Sequence, residues 1–222
     1  MERFFDEELR ELKEKLLQMA SFAEDSIALA IKGLVERNVD IAQSVIDSDG
    51  DINYLEIEID EISLKLLATR QPIARDLRFI AAAMKINSDL ERIGDLSVNI
   101  AQRTVDLLKM PILKPLIDIP RMASLAQKMV KDSLDAFVNC DSKLARDVCK
   151  RDDEVDNLND QIFRELLTYM LENPKTITRC VDLILVGRHL ERIADHATNI
   201  SEDVVFMVEG KTIKHHIEEK IG

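Results

Sequence analysis

Oxygen donors at helical spacing are the first chemistry the sequence offers. In the stretch LERIGDLSVNI, residues 90–100, Glu91, Asp95 and Asn99 stand at i, i+4 and i+8. LERIADHATNI, residues 190–200, repeats the pattern with Glu191, Asp195 and Asn199, and seven of the eleven positions are identical between the two stretches. At about 100° per residue the three donors of each copy form a straight row along one face of a helix. Leu90, Ile93, Gly94, Ser97, Ile100 and Ala101 fall on the other side as a buried stripe, so the donor rows are expected to face outward.

Such a row needs partners on a neighbouring helix before it can hold anything. Asp49 and Asn53 precede the turn at Gln71 by about as many residues as Glu91 and Asp95 follow it, and Asp152 and Asp156 stand in the same relation to Glu191 and Asp195 across the turn at Pro174. With a rise of about 1.5 Å per residue, an antiparallel hairpin brings each set to one height. Asp49, Asn53, Glu56 and Asp60 also share one flank of their helix. Carboxylates this close raise one another's pKa unless a cation intervenes. All-oxygen donors suit hard ions such as Fe³⁺, Mn²⁺, Mg²⁺ or Ca²⁺, and more than one ion fits such a cluster. The same pattern also arises as a plain solvated face, or as partners for Arg92 and Arg192.

Other chemistries are thinly represented. His189 and His196 have no counterparts in the first copy, which disfavours zinc by the His/Cys route. A ferritin-like di-iron bundle needs Glu-x-x-His, and this chain has Glu-x-x-x-Asp. There is no G-x-x-x-x-G-K-[ST] loop, no G-x-S-x-G elbow and no C-x-x-C. The chain therefore reads as a non-enzyme, and His215 and His216 near its end read as solvated.

The elements that position the donors are helices. Six Gly, five Pro and no Trp among 222 residues, against abundant Leu, Ile, Ala, Glu, Lys and Arg, make the expected fold all-α. The first helix runs to about Asn38. A second opens near Asp40, carries the seam Ile52, Leu55, Ile59, Ile62 and Leu66, and stops before Pro72. A third, from about Ile73 to Met110, holds the first donor row. The segment MPILKPLIDIP interrupts the chain, and Pro120 suits the first turn of a fourth helix ending near Asn139. Asp141 or Ser142 caps a fifth that reaches about Glu172, and a sixth runs from about Thr176 to Gly210 with the second row.

Three helices, a proline linker and three helices constitute a repeat. Met19-Ala20-Ser21 recurs as Met122-Ala123-Ser124, and Ile52, Leu55 and Ile59 recur as Val155, Leu158 and Ile162. The expected organisation is two tandem three-helix bundles over 1–112 and 119–210, a linker over 113–118 and a short charged tail over 211–222.

A net charge of −12 argues against binding nucleic acid. Cys140, Cys149 and Cys180 cannot all pair with one another, which fits a reducing compartment. The acidic start MERFFDEELREL is unlike a secretory signal, and the apolar runs are too short to span a bilayer, so a cytoplasmic protein is expected.

The paired LERI-x-D-x-x-x-N-I segments, together with RQPIARDLRFIAAAMKINSDLERIGD in the first unit, resemble the PhoU family over nearly the whole chain. That resemblance implies a cytoplasmic, homodimeric accessory protein of phosphate transport that restrains phosphate uptake and the phosphate-starvation response. It implies two partners, the ATPase of the phosphate ABC transporter and a membrane sensor histidine kinase, with the membrane met only through them. It also implies multinuclear clusters of iron or zinc on the E-x-x-x-D and D-x-x-x-D segments, here Glu91, Asp95, Asp152, Asp156, Glu191 and Asp195, with Asp49, Asn53, Asn99 and Asn199 as neighbours. Iron is the foremost candidate, with zinc, manganese, magnesium and calcium as alternatives. Asn53 departs from the pattern, an amide where Asp156 offers a carboxylate, which points to a weaker or smaller first cluster.

Overall fold

The computed structural model describes residues 2–70 and 72–213. Its helices are α1 (Glu2–Glu36), α2 (Val39–Asp47), α3 (Asp49–Arg70), α4 (Ala74–Leu108), α5 (Asp118–Asn139), α6 (Ser142–Glu172) and α7 (Ile177–Glu209), with a single 3₁₀ turn at Pro174–Thr176. No strand occurs among the described residues. The expectation for His215 and His216, and for the tail beyond residue 213, falls outside the described residues.

Helix ends follow local chemistry. Arg37 takes a left-handed conformation (φ 53°) that stops α1, and the Asn38 side chain accepts from the amides of Asp40 and Ile41 to start α2. Gly33 is needed at this corner, since a Cβ there would lie 3.1 Å from the Ala42 amide nitrogen. Asp141 caps α6 through the amides of Lys143 and Leu144, as its position predicts.

One expected element divides. The second predicted helix is interrupted at Ser48, which separates α2 from α3. The sequence there is Asp47-Ser48-Asp49-Gly50, residues that bond their own backbone or favour turns, and the Ser48 hydroxyl donates to the Val45 carbonyl at 3.1 Å. Counting the interrupted pair as one arm leaves six arms, three in each half.

Each half builds its core from stripes at alternating spacings of three and four. On α1 these are Leu12, Leu16, Met19, Ala23, Ile27, Ala30 and Leu34, all buried. On α5, Ile119, Met122, Ala126, Val130, Ser133 and Phe137 occupy the corresponding places. Ile52, Leu55, Ile59 and Leu66 are buried on α3 as the seam predicts, whereas Ile62 is only half-buried and Ser63 beside it is enclosed.

The halves join through α4 and α7, which run antiparallel and share one continuous core. Two ion pairs and one histidine–carboxylate hydrogen bond cross between them: Lys85 with Asp203 at 3.0 Å, Arg103 with Asp182 at 3.4 Å and His196 with Asp89 at 2.8 Å. Phe79 stacks on Phe137 with ring centroids 5.2 Å apart, tying α4 to α5. The proline segment is a strap across one end. Arg37 reaches the carbonyls of Leu108 and Met110, Arg179 reaches that of Pro111, and buried Lys114 pairs with Glu165.

Candidate functional site

The donor rows lie in the grooves between the middle and third helices of each half, and the hairpin register decides which groups meet. In the first half, the Asn87 side chain donates to the Glu56 carbonyl at 2.9 Å and to Asp60 Oδ1 at 3.0 Å, while Ile52 packs against Gly94. By that register Glu56 faces Glu91, and Asp49 lies a turn further along, level with Asp95 and Asn99.

The rows are less exposed than a wheel alone predicts. Glu91, Asp95 and Asn99 are half-buried on α4, as are Glu191 and Asn199 on α7; Arg92, Arg192 and Asp195 are exposed. A wheel assumes one buried side, but α4 and α7 each pack against a middle helix and also against one another, so the buried arc extends to the rows' edge.

In the first half, burial raises the Glu91 carboxyl above its ordinary range, and the charges of Asp95 and Glu56 push the same way against Arg92. The Arg92 guanidinium lies 3.4 Å from Glu91 and 3.1 Å from Asp95. Asn53 Nδ2 donates to Asp49 Oδ2 at 2.9 Å, so the two members predicted on α3 bond each other.

In the second half the predicted carboxylates act on one another's titration across the groove. Asp152 is pushed up from 3.8 to about 6, by burial first and then by the charges of Asp195 and Asp156. Its Oδ1 is buried without a hydrogen-bond partner, and the neighbouring Thr198 hydroxyl offsets the rise only as the smallest of the contributions. Burial and the Asp195 charge also raise Asp156. Glu191 is raised by burial, although Arg188 lies against it and Asn159 Nδ2 donates to its Oε2 at 3.2 Å. Cys149, which faces the same groove, is held up to about 11 by burial and by Glu202 and Asp152, so it stays a neutral thiol.

Glu56, Asn159, Arg188 and Thr198 also neighbour the sites and lie outside the predicted ligand set. The 103-residue offset that relates Ile52 to Val155 also relates Glu56 to Asn159 and Asn53 to Asp156. Read along the whole flank, that offset shows amide and carboxylate exchanging places between the two copies.

The donor chemistry fits a hard cation. Every predicted ligand supplies oxygen, and the orphaned Asp152 Oδ1 is a buried lone pair that an ion would satisfy. With the side chains as they stand, no group of three or more His, Cys, Asp or Glu among the described residues is placed to hold an ion. Binding would therefore require carboxylate rotations toward the middle of the groove and displacement of Arg188 or Arg92.

Comparison with known proteins gives concordant results. The family model described as PhoU domain matches twice, over residues 16–104 and 119–204. A phosphate-specific transport system accessory protein PhoU homolog of Aquifex aeolicus is 44% identical over 214 residues, covering 96% of this chain and 97% of that protein. The homolog of Pseudomonas aeruginosa is 39% identical over 212 residues, covering 95% and 88%. Among solved structures, PhoU from Pseudomonas aeruginosa superposes with a TM-score of 0.90 at 39% identity, covering 93% of this chain and 100% of that one. The phosphate transport system regulatory protein PhoU from Streptococcus pneumoniae does so with 0.87 at 27% identity, covering 95% and 99%.

Proposed function

The chain belongs to the PhoU family, and from that premise we propose that it is a cytoplasmic, non-catalytic adaptor that restrains phosphate uptake and the phosphate-starvation response. The observation that carries this is the match over nearly the full length to accessory proteins of phosphate-specific transport. No helix among the described residues is long and apolar enough to cross a membrane, so the chain would reach the bilayer through partners. The proposed partners are the transporter's ATPase and a membrane sensor histidine kinase. Exposed Phe163, Leu167 and Leu171, at i, i+4 and i+8 on α6, supply an apolar stripe for a second copy or a partner helix.

The second part of the proposal is that the two acidic grooves bind metal, iron foremost, through Glu91, Asp95, Asp152, Asp156, Glu191 and Asp195, with Asp49, Asn53, Asn99 and Asn199 beside them. The crowded carboxylates and the unpaired oxygen of Asp152 support it. The alternative is a metal-free helical scaffold, favoured by the arginines that already neutralise part of each groove.

Deleting the protein from its host tests the regulatory reading: phosphate-starvation genes should be derepressed in phosphate-rich medium, and unchanged expression would refute it. Elemental analysis of protein purified without chelator tests the metal reading. Metal should be present in the native protein and lost from the Glu91→Ala/Asp95→Ala/Glu191→Ala/Asp195→Ala variant, and equal content in the two would leave the scaffold.

A further inference from the structure

A cavity of about 680 Å³ opens at the end of the α4–α7 pair opposite the strap, where α1, the start of α4, the end of α7 and the α5–α6 corner meet. Its polar lining departs from the character of the protein. In a chain with net charge −12, Arg10, Lys13, Arg75 and Arg78 line it against a single acidic residue, Asp76, among the described residues. Leu9, Phe79, Met207 and Val208 make its apolar floor.

The lining is held in place. Lys13 Nζ donates to the Val138 carbonyl at 2.9 Å, and Arg78 Nε donates to that of Met207 at 3.2 Å. Each contact fixes the side chain while using one donor of the three on a lysine or the five on an arginine, which leaves the rest free to meet a ligand. The stack on Phe137 fixes the Phe79 ring. Arg75 is exposed, and Arg10 lies 3.7 Å from Glu14, with both side chains mostly solvated, at the border of a neighbouring niche lined by Glu7, Glu8 and Glu11. At the strap end of the same helix pair, the matching niche is covered by Pro111–Leu116 and retains only about 170 Å³ with a mostly apolar lining. The two ends differ in what covers them and in how their cations are used: at the strap end Arg37 and Arg179 are turned onto strap carbonyls and Lys114 pairs with Glu165.

We propose that this cavity binds a small organic phosphate, with a di- or triphosphate group on Arg10, Lys13, Arg75 and Arg78 and an apolar or aromatic body against Leu9, Phe79, Met207 and Val208. Four cations around one opening match the three to four negative charges of such a group better than the single charge of a carboxylate. Inorganic phosphate or pyrophosphate would leave the apolar floor unused. The volume lies within the range of about 300–1,000 Å³ typical of small-molecule sites. None of these residues belongs to the acidic grooves.

Isothermal titration of the full-length protein with ATP tests the proposal, at low salt and with chelator present so that no metal–nucleotide complex reaches the acidic grooves. ATP should bind more tightly than either pyrophosphate or adenosine. Losing one charge-assisted contact in Arg75→Gln should weaken ATP about tenfold while leaving the thermal melt unchanged, because the side chain is exposed, and Arg10→Gln/Arg75→Gln should weaken it further. Absence of ATP binding at millimolar concentration, or equal affinity in the double variant, would overturn the site. Pyrophosphate binding as tightly as ATP would overturn the organic body, and adenosine doing so would overturn the role of the cations.

Discussion

Asp152→Asn separates a cation site from a solvated row of acids, because the two make opposite demands on that side chain. A carboxyl whose pKa rises from 3.8 to about 6 on folding carries roughly 3 kcal/mol against its ionised form, at 1.36 kcal/mol per pH unit. Asp152 is only half-buried, and solvent screening brings the expected cost to about 1–2 kcal/mol. The folded state holds this proton more tightly than the unfolded chain. The contribution to stability is therefore complete below about pH 4, declines as pH rises toward 6, and is gone at pH 7. Asp156, Glu191 and Glu91 are shifted in the same direction. Glu8, Glu58, Asp106, Asp147 and Glu209, paired with basic side chains, are shifted the other way, so the variant-minus-native difference isolates the groove.

Urea denaturation in chelator across pH 4–8 should show Asp152→Asn equal to the native protein near pH 4 and about 1–2 kcal/mol more stable at pH 7. Metal reverses the order. An ion at 100 times its Kd adds about 2.7 kcal/mol to the native protein, and most of that should be missing from the variant. A flat difference across pH in chelator, or a variant less stable at pH 7, would refute the electrostatic reading of the groove; equal stabilisation of both proteins by metal would refute the cation site.

Two further predictions concern packing. A Cβ on Gly94 would lie 2.8 Å from Ile52 Cδ1, whereas the second half carries the equivalent residues as Ala194 and Val155, which lacks that methyl. Gly94→Ala should thus forfeit its helix-propensity gain of about 1 kcal/mol to a clash of about 1–3 kcal/mol, and Ile52→Val should restore it; additive single and double effects in urea titrations would contradict the contact. Arg103→Met leaves the Asp182 carboxylate, 6% exposed, without that cation at the α4–α7 contact and should cost about 1–3 kcal/mol in the same assay, whereas a loss within about 0.5 kcal/mol would deny the pair a structural role.

The helices were legible because their periodicity and their stops are local. Pro72, the three prolines between 111 and 120, and Asn173-Pro174 mark the breaks, and the seams on α3 and α6 with the stripe on α4 mark the core. The division at Ser48 was less legible because Asp, Ser and Gly each lower helix stability only slightly, and whether a break results depends on the bend the bundle needs. Turn counting placed the donors at roughly one height but not to within a turn, since it assumes where the hairpin reverses. The contacts of Gly94 and Asn87 shift α3 enough that Glu56, rather than Asp49, comes opposite Glu91. The α4–α7 pairs were not legible at all, because Lys85, Asp89 and Arg103 find their partners 79 to 118 residues away.

The substitution of Asn53 for a carboxylate looks, by itself, like a loss to the first groove. Glu56 removes that deficit, because it stands where the second half has Asn159. In the first groove Asp49, Glu56, Asp60, Glu91 and Asp95 then stand with the amides of Asn53 and Asn99, and in the second Asp152, Asp156, Glu191 and Asp195 stand with those of Asn159 and Asn199. What differs is where the middle helix's amide sits. Asn53 bonds Asp49 along its own helix and satisfies it, whereas Asn159 reaches across to Glu191 and leaves Asp152 with a buried oxygen unpaired. In the first groove Asn53 answers Asp49 and Arg92 lies against Glu91 and Asp95, although burial and the charges of Asp95 and Glu56 still raise Glu91, while the second keeps the repulsion on Asp152 and its buried Oδ1. If the grooves take up a cation, Asp152 gives the second more to gain from it, and that groove should then be the first to fill as metal is supplied.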